Sequence, residues 1–426
     1  MKTLYITTVL SLMLLSCDQQ SITDASDYNS YLISTKTDQL DAVYKKNDFW
    51  NSRITTDSTQ IVALAAAGNS YTNLFNRTGD INALKKAEKA LKKAADKAAI
   101  SKDSYLLALA QNYITQHQFK KAHQTLLNAQ EIGGKRKATA MLLFDVSMEL
   151  GLVEKAEQYL DQIENYGDFD YLIRLAKWSD HQGNLAATIS YMERAKLYAE
   201  ASKKQDLLIW TYTNLGDYYS HDGQLDRAYD YFLRTLALDD QNTYAKKRIA
   251  WITYSHEHNP SEAQRILASI KNQSPDLLLF RADLAESLSA SAEAKQLRKE
   301  FVTTVDKPEY GSMYDAYLAN LYAENFKDYD TALHYAEKDV AARPTAETYG
   351  LLAHIYHLKG DTKKALKIAE AHVKDKTEEP LAAYYLAQIY IASGNVDQAQ
   401  SYKDDLLASS FELGPAMARN IKKLYL

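Results

Sequence analysis

Cys17 is the one thiol in a chain of 426 residues. No disulfide can form within the chain, and an unpartnered exported thiol would be a redox liability unless it is covalently used. The histidine pairs are His256 with His258 and His354 with His357. The second pair falls on one helical face, but two imidazoles without Cys or carboxylate partners make a weak, open ligand set, so no metal site is expected. Gly133-Gly134-Lys135-Arg136-Lys137 faintly resembles a phosphate cradle and is read as a turn between helices. The sequence has no phosphate loop, dinucleotide glycine fingerprint, nucleophile elbow or H-E-x-x-H. No catalytic residue and no cofactor are therefore expected, and the chain is read as a non-enzyme. Lys85, Lys86, Lys89, Lys92, Lys93 and Lys97 form a solvated helix face opposite alanines, with contact to anionic lipid as the other reading.

The elements that would position any site come next. Six Pro and fourteen Gly argue against an all-β or linker-rich chain, and 46% hydrophobic with 25% charged residues marks a globular one. A net charge of −5 gives no reason to expect nucleic acid. Tyr is abundant, 32 residues, and a ring with a polar tip suits half-buried positions.

At the N-terminus Lys2 is followed by an apolar run from Leu4 to Leu15, too short to span a bilayer, which reads as an export signal. Leu14-Leu15-Ser16-Cys17 resembles the bacterial lipobox. That resemblance implies cleavage after residue 16, a diacylglyceryl group on the Cys17 thiol and acylation of the new amine. Several acyl chains suffice for stable anchoring, since each buried methylene adds about 0.8 kcal/mol. Asp18 resembles an inner-membrane retention signal of enterobacteria, or a surface-export signal of other phyla. The expected location is the cell envelope, lipid-anchored, with the outer membrane preferred and its face open.

Internal periodicity decides the fold. Leu215-Gly216-x-x-Tyr219, Gly223-x-Leu225 and Ala228-x-x-x-Phe232 form the clearest unit. The second residue of the Leu-small pair recurs as Ala110, Phe144, Ala176, Gly216, Ala250, Ala285, Ala319, Ala353 and Ala387, at steps of 34, 32, 40, 34, 35, 34, 34 and 34. Gly68, Tyr71 and Ala87 open an earlier copy. This pattern resembles the tetratricopeptide repeat (TPR). The resemblance implies an all-α, right-handed α-solenoid of about ten helix-turn-helix repeats with a C-terminal capping helix. The expected organisation is a signal peptide over 1–16, then anchor, polar tether and N-terminal capping helices over 17–60. The repeat array follows over 61–413, with the cap over 414–426, its helix starting at Pro415. Phe144 should splay or shift its pair, residues 277–301 are degenerate, and the step of 40 needs a longer second helix or a loop near Ser202.

In tetratricopeptide proteins the first helices line a concave groove that holds peptides or partner domains. That frame places Asp145, Lys177, Asp180, Trp210, Asp217, His221, Tyr244, Lys247, Trp251 and Tyr254 towards it, with His354 and His357 also at groove-lining positions. The candidate partner groove is Trp210, Asp217, His221, Tyr244, Lys247, Trp251 and Tyr254, an aromatic cluster flanked by charges, as in interface hot spots. The functional expectation is a protein-interaction scaffold or assembly factor at the envelope. The alternative is a nutrient- or glycan-capture lipoprotein using the same aromatics.

Overall fold

The computed structural model describes residues 21–33, 38–54, 60–271 and 274–426. The stretch read as an export signal, Cys17 and the start of the expected tether lie outside the described residues. The described residues are helical, without strands, and two helices precede the array: α1 (Ala25–Leu32) and α2 (Asp38–Asn51). Ten helix pairs follow. They are α3 (Ile61–Thr78) with α4 (Ile81–Lys97), α5 (Lys102–Thr115) with α6 (Phe119–Ile132), and α7 (Arg136–Glu149) with α8 (Val153–Asp161). Then come α9 (Phe169–His181) with α10 (Leu185–Ser202) and α11 (Gln205–His221) with α12 (Leu225–Leu238). The next is α13 (Thr243–Trp251), prolonged by a π-helical turn over Ile252–His256, with α14 (Pro260–Ala268). The last four are α15 (Asp276–Ser287) with α16 (Ser291–Val305), α17 (Asp315–Leu321) with α18 (Tyr329–Ala342), α19 (Ala346–Leu358) with α20 (Thr362–His372), and α21 (Pro380–Ala392) with α22 (Val396–Ser401).

Each pair closes over the small residue that sets the sequence period. Ala110, Ala176, Ala250, Ala319, Ala353 and Ala387 are wholly buried, as are their counterparts Ala122, Ala228 and Ala365 on second helices. At Gly216 even a methyl group is too large, because a Cβ there would collide with the Phe232 ring. Phe144 is wholly buried at its oversized position, and its partner helix runs nine residues before the link 162–168. The step of 40 is taken up by α10, which runs 18 residues to Ser202 before Lys203 turns left-handed. The degenerate unit still forms α15 and α16, with Ser289 adopting φ 62° where other repeats have glycine.

Tyrosine joins the layers. Tyr219 and Tyr231 stack at 5.7 Å, and both hydroxyls donate to Glu193 at 2.7 Å. Tyr335 donates likewise to Asp306 at 2.9 Å and Tyr390 to Glu370 at 2.8 Å. Each ring fills the interface while its tip reaches a carboxylate at the edge.

The array coils until it meets itself. The turns inside the early pairs touch the links between the late pairs: Ser312 donates to the His117 carbonyl at 3.3 Å across 195 residues. Arg343 reaches Glu149 at 3.2 Å. A Cβ on Gly151 would lie 2.7 Å from the Pro344 carbonyl oxygen, and one on Gly183 would lie 2.8 Å from Glu378 Cγ. This seam stacks a second winding on the first.

The two ends depart from simple caps. α2 packs along α3 at the start of the array, whereas α1 lies against α12 and α14, far along it. At the C-terminus α23 (Lys403–Ala408) precedes a helix over Ser410–Leu424 (α24) that is broken at Gly414 (φ 83°, ψ 167°). After that break, where the helix was expected to start, Ile421 is wholly buried and Tyr425 donates to the Ala399 carbonyl at 2.9 Å, covering the last pair.

The seam separates two equivalent turn glycines. Gly151 and Gly360 both have φ above 60°, but a Cβ on Gly360 would meet nothing within 4 Å. Gly360→Ala is expected to cost about 1–2 kcal/mol of left-handed strain alone. Gly151→Ala carries the same strain plus the clash with Pro344. Denaturant midpoints of the two variants check this, with Gly151→Ala lower, and small-angle scattering should show expansion only for Gly151→Ala.

Candidate partner-binding cleft

First helices follow one another around the inside of the coil, and polar side chains pair across the α7–α9, α11–α13 and α13–α15 steps. Arg174 holds Asp145 at 2.7 Å, Lys177 holds Glu149 at 3.1 Å, and Arg248 holds Asp217 at 2.8 Å. Lys247 holds Asp276 at 2.7 Å, and Tyr244 donates to Asp217. The carboxyl of Asp276 experiences burial, which would raise its pKa, but Lys247 and Ser274 outweigh it and hold it below the ordinary value. Glu149 behaves the same way: burial opposes, while Lys177 and Arg343 win. The charges expected to flank a groove are thus largely spent on one another, as a ladder joining successive repeats.

The seven predicted groove residues divide into two groups. Trp210, Asp217, Tyr244 and Lys247 border an open cleft of about 580 Å³ or adjoin it through side-chain bonds. Trp210 and Tyr244 remain 40% and 39% exposed, so part of each ring can contact a ligand, although Lys247 lies over the Tyr244 ring. Phe169 and Trp210 form a T-shaped pair with centroids 6.0 Å apart. The far wall comes from α3, where Asn73, Asn76 and Arg77 line the cleft and Arg77 bridges to Asp239 at 2.7 Å. Sequence reasoning missed this wall, because no local pattern brings residue 77 beside residue 239.

Trp251, Tyr254 and His221 are engaged by the chain itself. The Phe411 carbonyl accepts from Trp251 Nε1 at 3.1 Å and from Ser255 Oγ at 2.6 Å. A Cβ on Gly414 would lie 2.9 Å from the Trp251 ring, and Glu412 sits 3.5 Å from His221 Nδ1. Tyr254 is 4% exposed, and its hydroxyl pairs with Ser287 at 3.0 Å. The only sequence signal for this contact is Gly414-Pro415, which breaks the helix and leaves the Phe411 carbonyl without an intrahelical partner.

His354 does not line the groove. It is wholly buried, with Nε2 2.7 Å from Glu324 and its ring stacked on Tyr385 at 4.1 Å. The π-helical turn over Tyr322–Phe326 carries Glu324 to that position. Among the described residues no group of three His, Cys, Asp or Glu side chains could hold a metal ion.

Residues 211–244 match the tetratricopeptide repeat family, and residues 325–404 match the family of anaphase-promoting complex, cyclosome, subunit 3. The tetratricopeptide match covers one helix pair, α11 with α12. A TPR repeat-containing protein of Methanocaldococcus jannaschii is 21% identical over 327 residues, covering 71% of this chain and 55% of that protein. The chain thus spans little more than half the length of that relative. Among solved structures, a tetratricopeptide repeat protein from Parabacteroides merdae aligns at 18% identity with a TM-score of 0.35, covering 60% of this chain and 98% of that one. Yeast Tom70 aligns at 11% identity with a TM-score of 0.38, covering 85% and 95%. The pilus biogenesis factor PilW aligns at 16% identity with a TM-score of 0.38, covering 50% and 99%.

The coil places several carboxylates on one stretch of seam. Asp180, Glu347, Glu378, Glu379 and Glu412 line one small cleft, with His181 and His221 as its basic groups. Glu379 is exposed at the mouth of this cleft, yet the protein crowding it there, then Glu412, Glu347 and Asp180, push it up to about 7. A carboxyl raised on folding contributes stability that is fully present below its unfolded pKa and lost as pH rises through the folded one. Glu379→Gln is therefore expected to raise the melting temperature at pH 8 and to leave it unchanged at pH 4, read by thermal denaturation of both proteins at both values. Equal shifts at the two pH values would contradict the assignment.

Proposed function

We propose that the protein is a non-catalytic scaffold that holds a protein or peptide partner in the Trp210–Tyr244 cleft while tethered to the bacterial envelope through lipidated Cys17. The observation that carries the first part is the pairing of the groove charges. With Asp217 and Asp276 already held by basic neighbours, what the cleft offers a ligand is two part-exposed aromatic rings, the Asn73 and Asn76 amides and the exposed Asp206 carboxylate. Half-exposed aromatic anchors within a polar wall are the composition of interface hot spots. Backbone amides and carbonyls of an extended segment suit the asparagines.

The second part rests on the lipobox at Leu14–Cys17. Among the described residues no helix is long and apolar enough to cross a membrane, so a bilayer attachment there would come from the acylated N-terminus. We place the protein at the envelope, with the outer membrane as the expected site. Capture of a glycan is the second reading, because an indole face beside amides also suits a sugar ring.

Two measurements test this. Mass spectrometry of protein from its native membrane is expected to find Cys17 acylated at the mature N-terminus, and Cys17→Ser is expected to release the chain to the soluble fraction. A photo-reactive residue at position 244 is expected to cross-link a defined envelope polypeptide. Trp210→Ala should weaken that partner's affinity at least about tenfold, the scale of a hot spot. Cross-links that Trp210→Ala leaves unchanged would refute the cleft assignment. Binding to a glycan array that is lost in Trp210→Ala would establish the second reading in its place.

A further inference from the structure

The seam leaves the two ends of the coil unlike. Turns inside the early pairs are covered by the second winding, as Gly151 and Gly183 show. Among the described residues the corresponding turns of the later pairs have no winding beyond them: a Cβ on Gly360 or on Gly394 would meet nothing within 4 Å. These turns, from residues 257–259 to residues 393–395, form a free rim at one end of the coil.

The N-terminal segment leads to that rim. The Glu257 carboxylate, in the first of these turns, accepts from the Ile22 and Thr23 amides at 2.8 and 2.7 Å and from the Ser21 and Thr23 hydroxyls at 3.0 Å each. α1 then runs away from the rim along the outer helices. Tyr28 is 1% exposed and donates to Glu262 at 2.6 Å, and the Tyr229 hydroxyl donates to the Asp24 carbonyl at 3.1 Å. At the far end the buried Lys246 ammonium donates to the Tyr31 carbonyl at 3.0 Å. The segment after the tether is therefore clamped to the body at both ends and in the middle. Cys17 precedes Ser21 by four residues, which span at most about 14 Å when fully extended.

We propose that the free rim is the face the protein presents to a phospholipid bilayer, and that the α1 clamp on Glu257 sets this orientation. The inference rests on the reading that Cys17 carries lipid. A tether so short cannot let the coil tumble, so the bilayer must lie beside Glu257 and hence beside the rim. The rim mixes charges, Lys327 with Asp328 and Lys359 with Asp361, so its contact does not depend on anionic lipid. The links between early pairs, around residue 135, then face away from the membrane, separated from the rim by two helix lengths. That distance is roughly 40 Å for helices of about 14 residues.

The test uses the full lipidated protein on phosphatidylcholine vesicles containing spin-labelled lipid. Because Cys17 is the only native cysteine, an added one takes the dye. A fluorophore at Lys359→Cys is expected to be quenched at least threefold more than one at Lys135→Cys. Glu257→Gln combined with Tyr28→Phe should bring the ratio towards one while the protein still floats with the vesicles. Its circular dichroism spectrum reports whether the fold persists. Flotation with equal quenching at 359 and 135 in the unaltered clamp overturns the orientation and leaves the anchor standing. An unmodified Cys17 together with absent flotation brings down the anchor, and the orientation with it.

Discussion

The structure depends on how closely two helices can approach over one small side chain. Alanine or glycine at the crossing point lets a second helix settle onto the first, and the larger residues around it then fill the space between neighbouring pairs. Because the crossing recurs at nearly constant spacing, each pair stacks on the last with a similar rotation, and stability accumulates through nearest-neighbour interfaces. Gly216, whose missing methyl makes room for the Phe232 ring, is the tightest instance. Phe144 departs from this rule, a large side chain wholly buried at the crossing.

Repeated rotation has a consequence that no single repeat contains. After nearly six repeats the coil meets itself, and the surfaces that touch are turns and links, rich in polar groups. The seam is accordingly built from hydrogen bonds, an Arg343–Glu149 pair and close backbone approaches at Gly151 and Gly183. It also gathers carboxylates from both windings around Glu379, where burial and like charge together favour the neutral form. A coil closed in this way has an interior with defined limits. Of the predicted groove residues, Trp210, Tyr244 and Lys247 line the open cleft, while Trp251 and His221 meet the stretch from Phe411 to Gly414.

The abundance of tyrosine follows from the same architecture. Interfaces between pairs are thin, so a ring that fills the layer lies close to its edge and can keep its hydroxyl on a carboxylate. Glu193 serves two such rings, and Lys196 with the two phenols holds its carboxyl below the ordinary value against the opposing effect of burial. Leucine would fill the same layer but could not tie its edge.

The sequence by itself determined everything governed by local spacing. The steps near 34 residues define the pairs, the glycines mark turns, the prolines mark junctions, and the longer α10 answers the step of 40. Helix phase placed Trp210 and Tyr244 on the expected inner face, and both line one cleft. Only the tertiary structure decided what touches across windings, since contacts about 195 residues apart leave no periodic trace in the chain. Arg77 beside Asp239, Phe411 on Trp251 and α1 on the outer helices are of this kind. The reason is cumulative geometry: a small rotation per repeat is set locally, but where the coil closes depends on the sum of all of them.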